Sequence, residues 1–241
     1  MKNPIVIALL CGASVATPAA AQQVTGGEVE LAYRSFDEGD ASTTTLGGAV
    51  ELGLNRNFAL QLDVVTSQTS FDGAGDADFD GVTLHGIYHL NEMTSIGLYG
   101  GSDSGEGEEV TTYGAEVGVE FGQIDLEAYL GQAESDGETV DIFGFEAGYL
   151  IGNGFELTAL LDSQSYDGDA SLTTYALRGD YTIANGFSAF ASVGTLQLDA
   201  SLGGFGSISE NDNFFTLGGT YVFGAERGAT FGSRSFYDIF R

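Results

Sequence analysis

Between Glu28 and Phe223 the chain divides into twelve short runs in which apolar residues alternate one for one with small or polar residues. A period of two sends successive side chains to opposite faces of an extended strand, so each run describes a strand with one apolar and one polar face. In the first run Val29, Leu31 and Tyr33 alternate with Glu28, Glu30, Ala32 and Arg34; in the sixth Tyr113, Ala115, Val117, Val119 and Phe121 oppose Gly114, Glu116, Gly118 and Glu120. The eleventh, from residue 187 to 199, changes parity. Phe187, Ala189, Ala191 and Val193 favour one face and Leu196 and Leu198 the other, which predicts a bulge near Gly194 or Thr195.

The connections sort by parity. Six read as long acidic loops rich in Gly, Asp and Ser (36–42, 69–81, 102–109, 134–138, 165–171 and 200–212), and they alternate with five tight turns such as Asn55-Arg56-Asn57, Gly122-Gln123 and Gly152-Asn153-Gly154. A soluble β-sandwich has no reason to sort its connections this way. An even number of amphipathic strands with short turns at one end and long loops at the other predicts an all-β, transmembrane, antiparallel up-and-down β-barrel of about 12 strands, with short periplasmic turns and long acidic external loops. Thirty-seven glycines, two prolines, both at or before residue 18, and 12% aromatic residues agree with a β-rich chain. No run of 18 or more apolar residues occurs, so a membrane role requires strands. Lys2, the apolar run 5–10 and Ala19-Ala20-Ala21 predict a secretory signal peptide over 1–21. The barrel is expected over 22–224 and a tail over 225–241.

The last run reads Thr216-Leu-Gly218-Gly-Thr-Tyr221-Val-Phe223: polar, x, Gly, x, x, aromatic, x, aromatic. This resembles the C-terminal insertion signal of bacterial outer-membrane β-barrel proteins, and the whole chain resembles a porin-like member of that group. The resemblance implies residence in the outer membrane among lipid and lipopolysaccharide. It also implies recognition by the barrel assembly machinery through Thr216, Gly218, Tyr221 and Phe223, and closure of the sheet by pairing of the last strand with the first. The tail departs from the pattern, in which the signal strand ends the chain. Either it extends into the periplasm, or residues 235–240 supply the terminal aromatic signal.

The chain carries 35 acidic residues against seven basic ones, a formal charge of −28, and its single lysine lies in the expected leader. Nucleic acid is excluded as a partner, and anionic ligands are repelled. General acidification of proteins exported into a saline habitat accounts for the overall charge equally well. Cys11, preceded by Leu10 rather than by the small residue of a lipoprotein site, falls in the leader. Disulfides and thiolate metal sites are thereby excluded from the mature chain.

Charge is concentrated on the inward parity: Glu28, Glu30, Glu51, Asp63, Glu116, Glu120, Asp125, Glu127, Glu146, Glu156, Asp162 and Asp180, with Arg34 and Arg178. Buried in an apolar core, a dozen carboxylates would be prohibitive; a hydrated lumen removes that cost. These residues, with the inward-pointing His85 and His89, are the expected pore lining, and an acidic aqueous channel prefers cations. The alternative is a non-conducting barrel, narrow or plugged, with a surface, structural or ion-binding role; a soluble acidic β-protein is a third, more distant reading. His85 and His89 are about 13 Å apart at about 3.3 Å per strand residue, too far to share a metal. No Ser/His/Asp set stands out, and the outer-membrane phospholipases that a twelve-stranded barrel brings to mind act from the lipid-facing wall. No enzymatic activity and no cofactor are expected. Asp76, Asp78 and Asp80 match the first half of a calcium loop, but Ile87 stands where its bidentate Glu is required. Weak Ca²⁺ or Mg²⁺ binding by an external loop is the most this supports. Homo-oligomerisation is left open by the sequence.

Overall fold

The structure, a computed structural model, describes residues 23–37, 41–73, 75–166, 170–184, 186–201, 207–224 and 228–237. The expected leader and Cys11 lie outside these residues, as do parts of four external connections, Asn185 of a periplasmic turn and Phe240 of the tail. Twelve antiparallel strands follow one another round a closed barrel. They are β1 (Gln23–Phe36), β2 (Ala41–Gly53), β3 (Phe58–Phe71), β4 (Gly75–Asn91), β5 (Thr94–Gly105) and β6 (Glu108–Phe121), then β7 (Ile124–Ser135), β8 (Glu138–Gly152), β9 (Phe155–Tyr166), β10 (Ala170–Ala184), β11 (Phe187–Ser201) and β12 (Ser207–Gly224). Closure is made by β1 and β12, paired from Gly26↔Gly224 to Phe36↔Phe214. Every strand therefore has two hydrogen-bonded neighbours, the condition for backbone to cross lipid.

The barrel is apolar outside and polar inside. Among the described residues 37 large hydrophobic side chains are exposed, while buried polar or charged residues outnumber buried hydrophobic ones by 21 to 13, five of the latter being alanines. In water that distribution would be untenable; in a bilayer it is required, because the hydrocarbon takes the place of the core. Outward aromatics form two girdles. Phe58 and Tyr88 pair at 4.8 Å and Phe155 and Tyr181 at 4.5 Å near the turn end. Phe143, Tyr175 and Phe215 precede Tyr149, Tyr181 and Tyr221 by six residues, toward the external end of their strands, roughly 20 Å at about 3.3 Å per residue.

Among the described residues, much of what the sequence reading took as long external loops is paired strand. Strands of 12 to 18 residues exceed the roughly 9–11 needed to cross a bilayer, and the excess projects at the external end as paired strand. β5 and β6 meet at Glu106-Gly107, and β7 and β8 at Asp136-Gly137, both with positive φ at each residue, the two-residue type I′ geometry whose twist matches the flanking strands. Beyond the lipid the outer face need no longer be apolar, so alternation disappears there and the sequence reads as loop. Side chains ladder across that outer face instead: Gln68 donates to Asp78 at 3.0 Å, Gln132 to Asp141 at 2.9 Å and Thr195 to Asn213 at 2.8 Å.

The bulge expected at Gly194 or Thr195 is absent too. β11 keeps an unbroken register with both neighbours, and Leu196 and Leu198 stay on the inward parity in the projecting part of the barrel. Register shifts occur at the turn end, between Val24 and Gly26, His89 and Asn91, Leu150 and Gly152, and Thr182 and Ala184.

Leu98, 69% exposed on the lipid face of β5, offers a direct check of the bilayer assignment. Leu98→Arg is expected to lower the unfolding free energy in phospholipid vesicles by about 2–4 kcal/mol. Asp78→Arg, on the outer face of the projecting part of β4, is expected to leave the unfolding transition where it is.

Candidate functional site: the lumen and its C-terminal occupant

The lumen is not empty. Beyond β12, which ends at Gly224, residues 228–237 run up inside the barrel. The periplasmic extension expected for the tail does not describe these residues, and the terminal signal expected over 235–240 falls in part outside the described residues. The segment's backbone is satisfied by wall side chains, as a buried segment demands. Thr230 N donates to Glu51 at 3.1 Å, and the Thr230 hydroxyl bonds the same carboxylate. Gln61 pairs with both backbone groups of Phe231, accepting from its N at 3.1 Å and donating to its O at 2.6 Å. Near the other end Phe236 N donates to Asp103 at 3.0 Å and Phe236 O accepts from Gln164 at 2.6 Å. The Ser235 hydroxyl also bonds Asp103.

Two apolar contacts anchor the segment. The Phe231 ring is 2% exposed against Ala59 and Ile87. Space for it comes from two glycines: a Cβ at Gly97 would lie 2.8 Å from the ring and one at Gly118 3.3 Å from it. Farther up, Phe236 and Tyr237 pack, alongside Ile142 and Tyr166, on Val110, Ala133 and Val140, and the Tyr237 ring is 4.4 Å from that of Phe79.

Between these anchors lies a buried charge network. His85 places Nδ1 2.7 Å from Glu116 and Nε2 2.9 Å from Asp63. A carboxylate only accepts, so the arrangement fits an imidazolium donating from both nitrogens. The second Glu116 oxygen accepts from Arg234 Nε at 3.0 Å, while Arg234 Nη2 bonds Glu127 and the guanidinium lies 4.0 Å over the Tyr129 ring. Burial pushes a guanidinium pKa down, but the charges of Glu127 and Glu116 outweigh it and hold Arg234 well above the usual value.

Opposite the tail a cavity of about 380 Å³ remains, lined by β1, β6–β12, Met93, Ser95 and residues 229–234. Glu28, Glu30, Glu120, Asp125, Glu127, Glu146, Glu156, Asp162 and Asp180 face it against Arg34, Arg178 and Arg234, nine carboxylates to three guanidiniums. Three pairs of acids stand directly across neighbouring strands: Glu120↔Asp125, Glu127↔Glu146 and Glu156↔Asp180. Arg178 bridges Glu30 at 3.0 Å and Asp180 at 2.9 Å and stacks 3.5 Å from the Phe190 ring. Arg34 donates to Thr216 at 3.2 Å beneath Phe214, 3.9 Å from its ring.

The geometry matches known barrels. The KdgM porin superposes with a TM-score of 0.62 at 10% identity, over 81% of this chain and 99% of that one. The NanC porin gives 0.61 at 12%, over 81% and 98%, and an outer membrane channel from Pseudomonas putida F1 gives 0.58 at 13%, over 87% and 100%. The fold is the porin-like outer-membrane β-barrel. No protein-family model matches the sequence, and no curated protein matches it.

Within this porin-like barrel every residue expected on the pore wall has the inward parity. Glu30, Arg34, Glu120, Asp125, Glu127, Glu146, Glu156, Asp162, Arg178 and Asp180 face the cavity. Glu51, Asp63, His85 and Glu116 instead hold the C-terminal segment, directly or through Gln61. His89 does not itself line the cavity but bonds Ser95 Oγ, which does, at 2.8 Å. Asp76, Asp78 and Asp80 lie along one face of β4, where strand spacing draws them apart, and no metal-sized group of three ligands occurs among the described residues. Thr216 and Gly218 point inward and Tyr221 and Phe223 outward on β12. Sequence reasoning missed Gln61, Asp103, Gln164, Phe231 and Arg234. The available signal was the patch of inward Ala59, Gly97 and Gly118, which leaves the β3–β6 wall without bulk.

Glu116 serves His85 and Arg234 together and is 4% exposed. Glu116→Ala is expected to cost about 3 kcal/mol, because two buried cations each lose an acceptor. Denaturant unfolding of the full-length protein in vesicles reads that loss.

Proposed function

We propose that this protein is an outer-membrane channel for passive diffusion of small hydrophilic solutes, with a preference for cations. The observation that carries the reading is the set of three cross-strand acid pairs on the cavity wall. Like charges placed opposite one another destabilise a sheet. Arg234 bonds Glu127 and Arg178 bonds Asp180, but nine carboxylates against three guanidiniums leave the wall net negative, which is tolerable where water and mobile cations screen it, the condition inside a cation-selecting passage. The fold supports the same reading, since its neighbours include porins and an outer membrane channel. A KdgM porin of this fold is described in complex with disordered oligogalacturonate. That ligand is a chain of carboxylate-bearing sugars, and the wall described here repels such a polyanion. Small cations and positively charged or neutral polar solutes fit the chemistry better. Export through the leader and assembly through the last strand belong to the same proposal.

A second reading has an observation of its own. The cavity reaches Arg34, Thr174, Ser192 and Thr216, but the next inward residues on those strands, Phe36, Leu172, Gly194 and Phe214, do not line it. The Phe36 and Phe214 rings meet there at 5.8 Å. A barrel closed at that level would be a non-conducting envelope protein.

Single-channel recording of the refolded full-length protein in a planar bilayer under a KCl gradient separates the two. Discrete steps with a reversal potential on the potassium side are expected, moving toward zero in the variant Glu120→Gln, Asp125→Asn, Glu156→Gln. A folded, heat-modifiable barrel that passes no current would establish the non-conducting reading.

A further inference from the structure

The cavity occupies one side of the lumen and residues 228–237 the other, and the two share a wall: residues 229–234 line the cavity. We propose that this C-terminal segment is a releasable plug, an autoinhibitory strap that holds the channel narrow and leaves through the end where it is tethered. The inference rests on the channel reading above.

Three observations point to release rather than to a permanent core. The segment makes no strand: the barrel groups that bond its described backbone are the side chains Glu51, Gln61, Asp103, Glu127 and Gln164, each on a barrel strand that is fully paired without it. Its removal breaks no ladder. Between its two apolar contacts the groups it would uncover are polar, so water entering the vacated half-lumen re-solvates Glu51, Asp63, His85, Asp103 and Glu116, and the apolar wall left bare is two small patches, Ala59 with Ile87 and Val110 with Ala133 and Val140. Finally, the apolar anchoring is confined to its two ends, Phe231 below and Phe236 with Tyr237 above, with Arg234 as the charge anchor between.

Departure changes the passage in two ways. The lumen gains the volume of the strap. It also loses Arg234, the only cation among the described tail residues, while Glu116 and Glu127 lose their guanidinium partner. The released state should therefore be both more conductive and more cation-selective, a combination that mere loosening of the barrel does not produce.

The test uses full-length protein refolded in vesicles and planar bilayers. Phe231→Ala with Arg234→Gln removes the lower apolar anchor and the charge anchor; neither lies on a strand, and heat-modifiable migration verifies that the barrel has formed. A cysteine at position 235 (Ser235→Cys) reports the position of the strap through its rate of reaction with a bulky water-soluble maleimide. Expected are several-fold faster labelling in the anchor-less background, a several-fold rise in conductance, and a reversal potential shifted further to the cation side. A cross-link made by Asp103→Cys with Ser235→Cys should cancel the gain until it is reduced. Unchanged labelling would overturn the plug. Faster labelling with wild-type conductance and selectivity would overturn its gating role while leaving the channel reading in place. Release of the strap with no current from either protein would overturn the channel reading and the gate together.

Discussion

Pairing of β1 with β12 is the interaction on which the rest depends. An open edge in hydrocarbon would leave a row of N–H and C=O groups without partners, at several kcal/mol each. Closing the ring removes that cost, and it also fixes parity all the way round. Once Val29 faces Tyr221 on the outside and Glu30 faces Thr220 on the inside, antiparallel register carries the same division through β2 to β11. Lipid then selects the outer set and water the inner one. The twelve runs alternate because each strand meets both solvents at once.

A ring of this size encloses more space than its own side chains fill with apolar matter, and the chain does not supply apolar matter. Inward positions carry Thr43, Thr45, Thr83, Thr112 and Thr174 with the carboxylates, all groups that need hydrogen-bond partners. On the β2–β7 side Thr43 and Thr45 bond Thr69 and Ser67 of the next strand, while Glu51, Asp103, Glu116 and Glu127 find partners in residues 228–237, and the wall is shaped to receive that segment, with glycines beneath Phe231 and paired amide groups from Gln61. On the opposite side the space stays open and the acids face one another across strands. One lumen thus holds two solutions to the same requirement, a tethered peptide on one wall and solvent on the other.

How much of this the sequence disclosed follows from which physical signals are local. Strand number, strand order and the inward parity of Glu30, Asp63, His85 and Glu146 could be read because period-two alternation is a nearest-neighbour property. Outside the bilayer that signal vanishes, and the projecting ends of β3, β4, β5 and β6 passed for loops. Asp136-Gly137, a recognisable two-residue hairpin turn, was the clue against it. The parity change at Leu196 and Leu198 suggested a bulge because the rule of an apolar outer face was carried past the membrane, where it no longer holds. The tail was opaque for a different reason. Arg234 meets Glu116 and Phe231 meets Ile87 across more than a hundred residues, and no spacing in the chain encodes a partnership made only once the barrel has closed.

The choice of cation shows how this lumen stays acidic while holding positive charge. No lysine follows residue 2, and the three arginines described inside the barrel all take one form. Arg34 stacks on Phe214, Arg178 on Phe190 and Arg234 on Tyr129, within 3.5 to 4.0 Å of the ring centres. A guanidinium is planar and weakly hydrated, so it can lie flat on an aromatic face while its N–H groups reach acceptors at the edge. Arg178 does so with Glu30 and Asp180, and Arg234 with Glu116 and Glu127. A lysine at these sites would swing its ammonium into the water and neutralise the passage. Stacked arginines keep their charge against the wall, stabilise the carboxylates nearest to them, and leave the remaining acids to set the field that a solute meets.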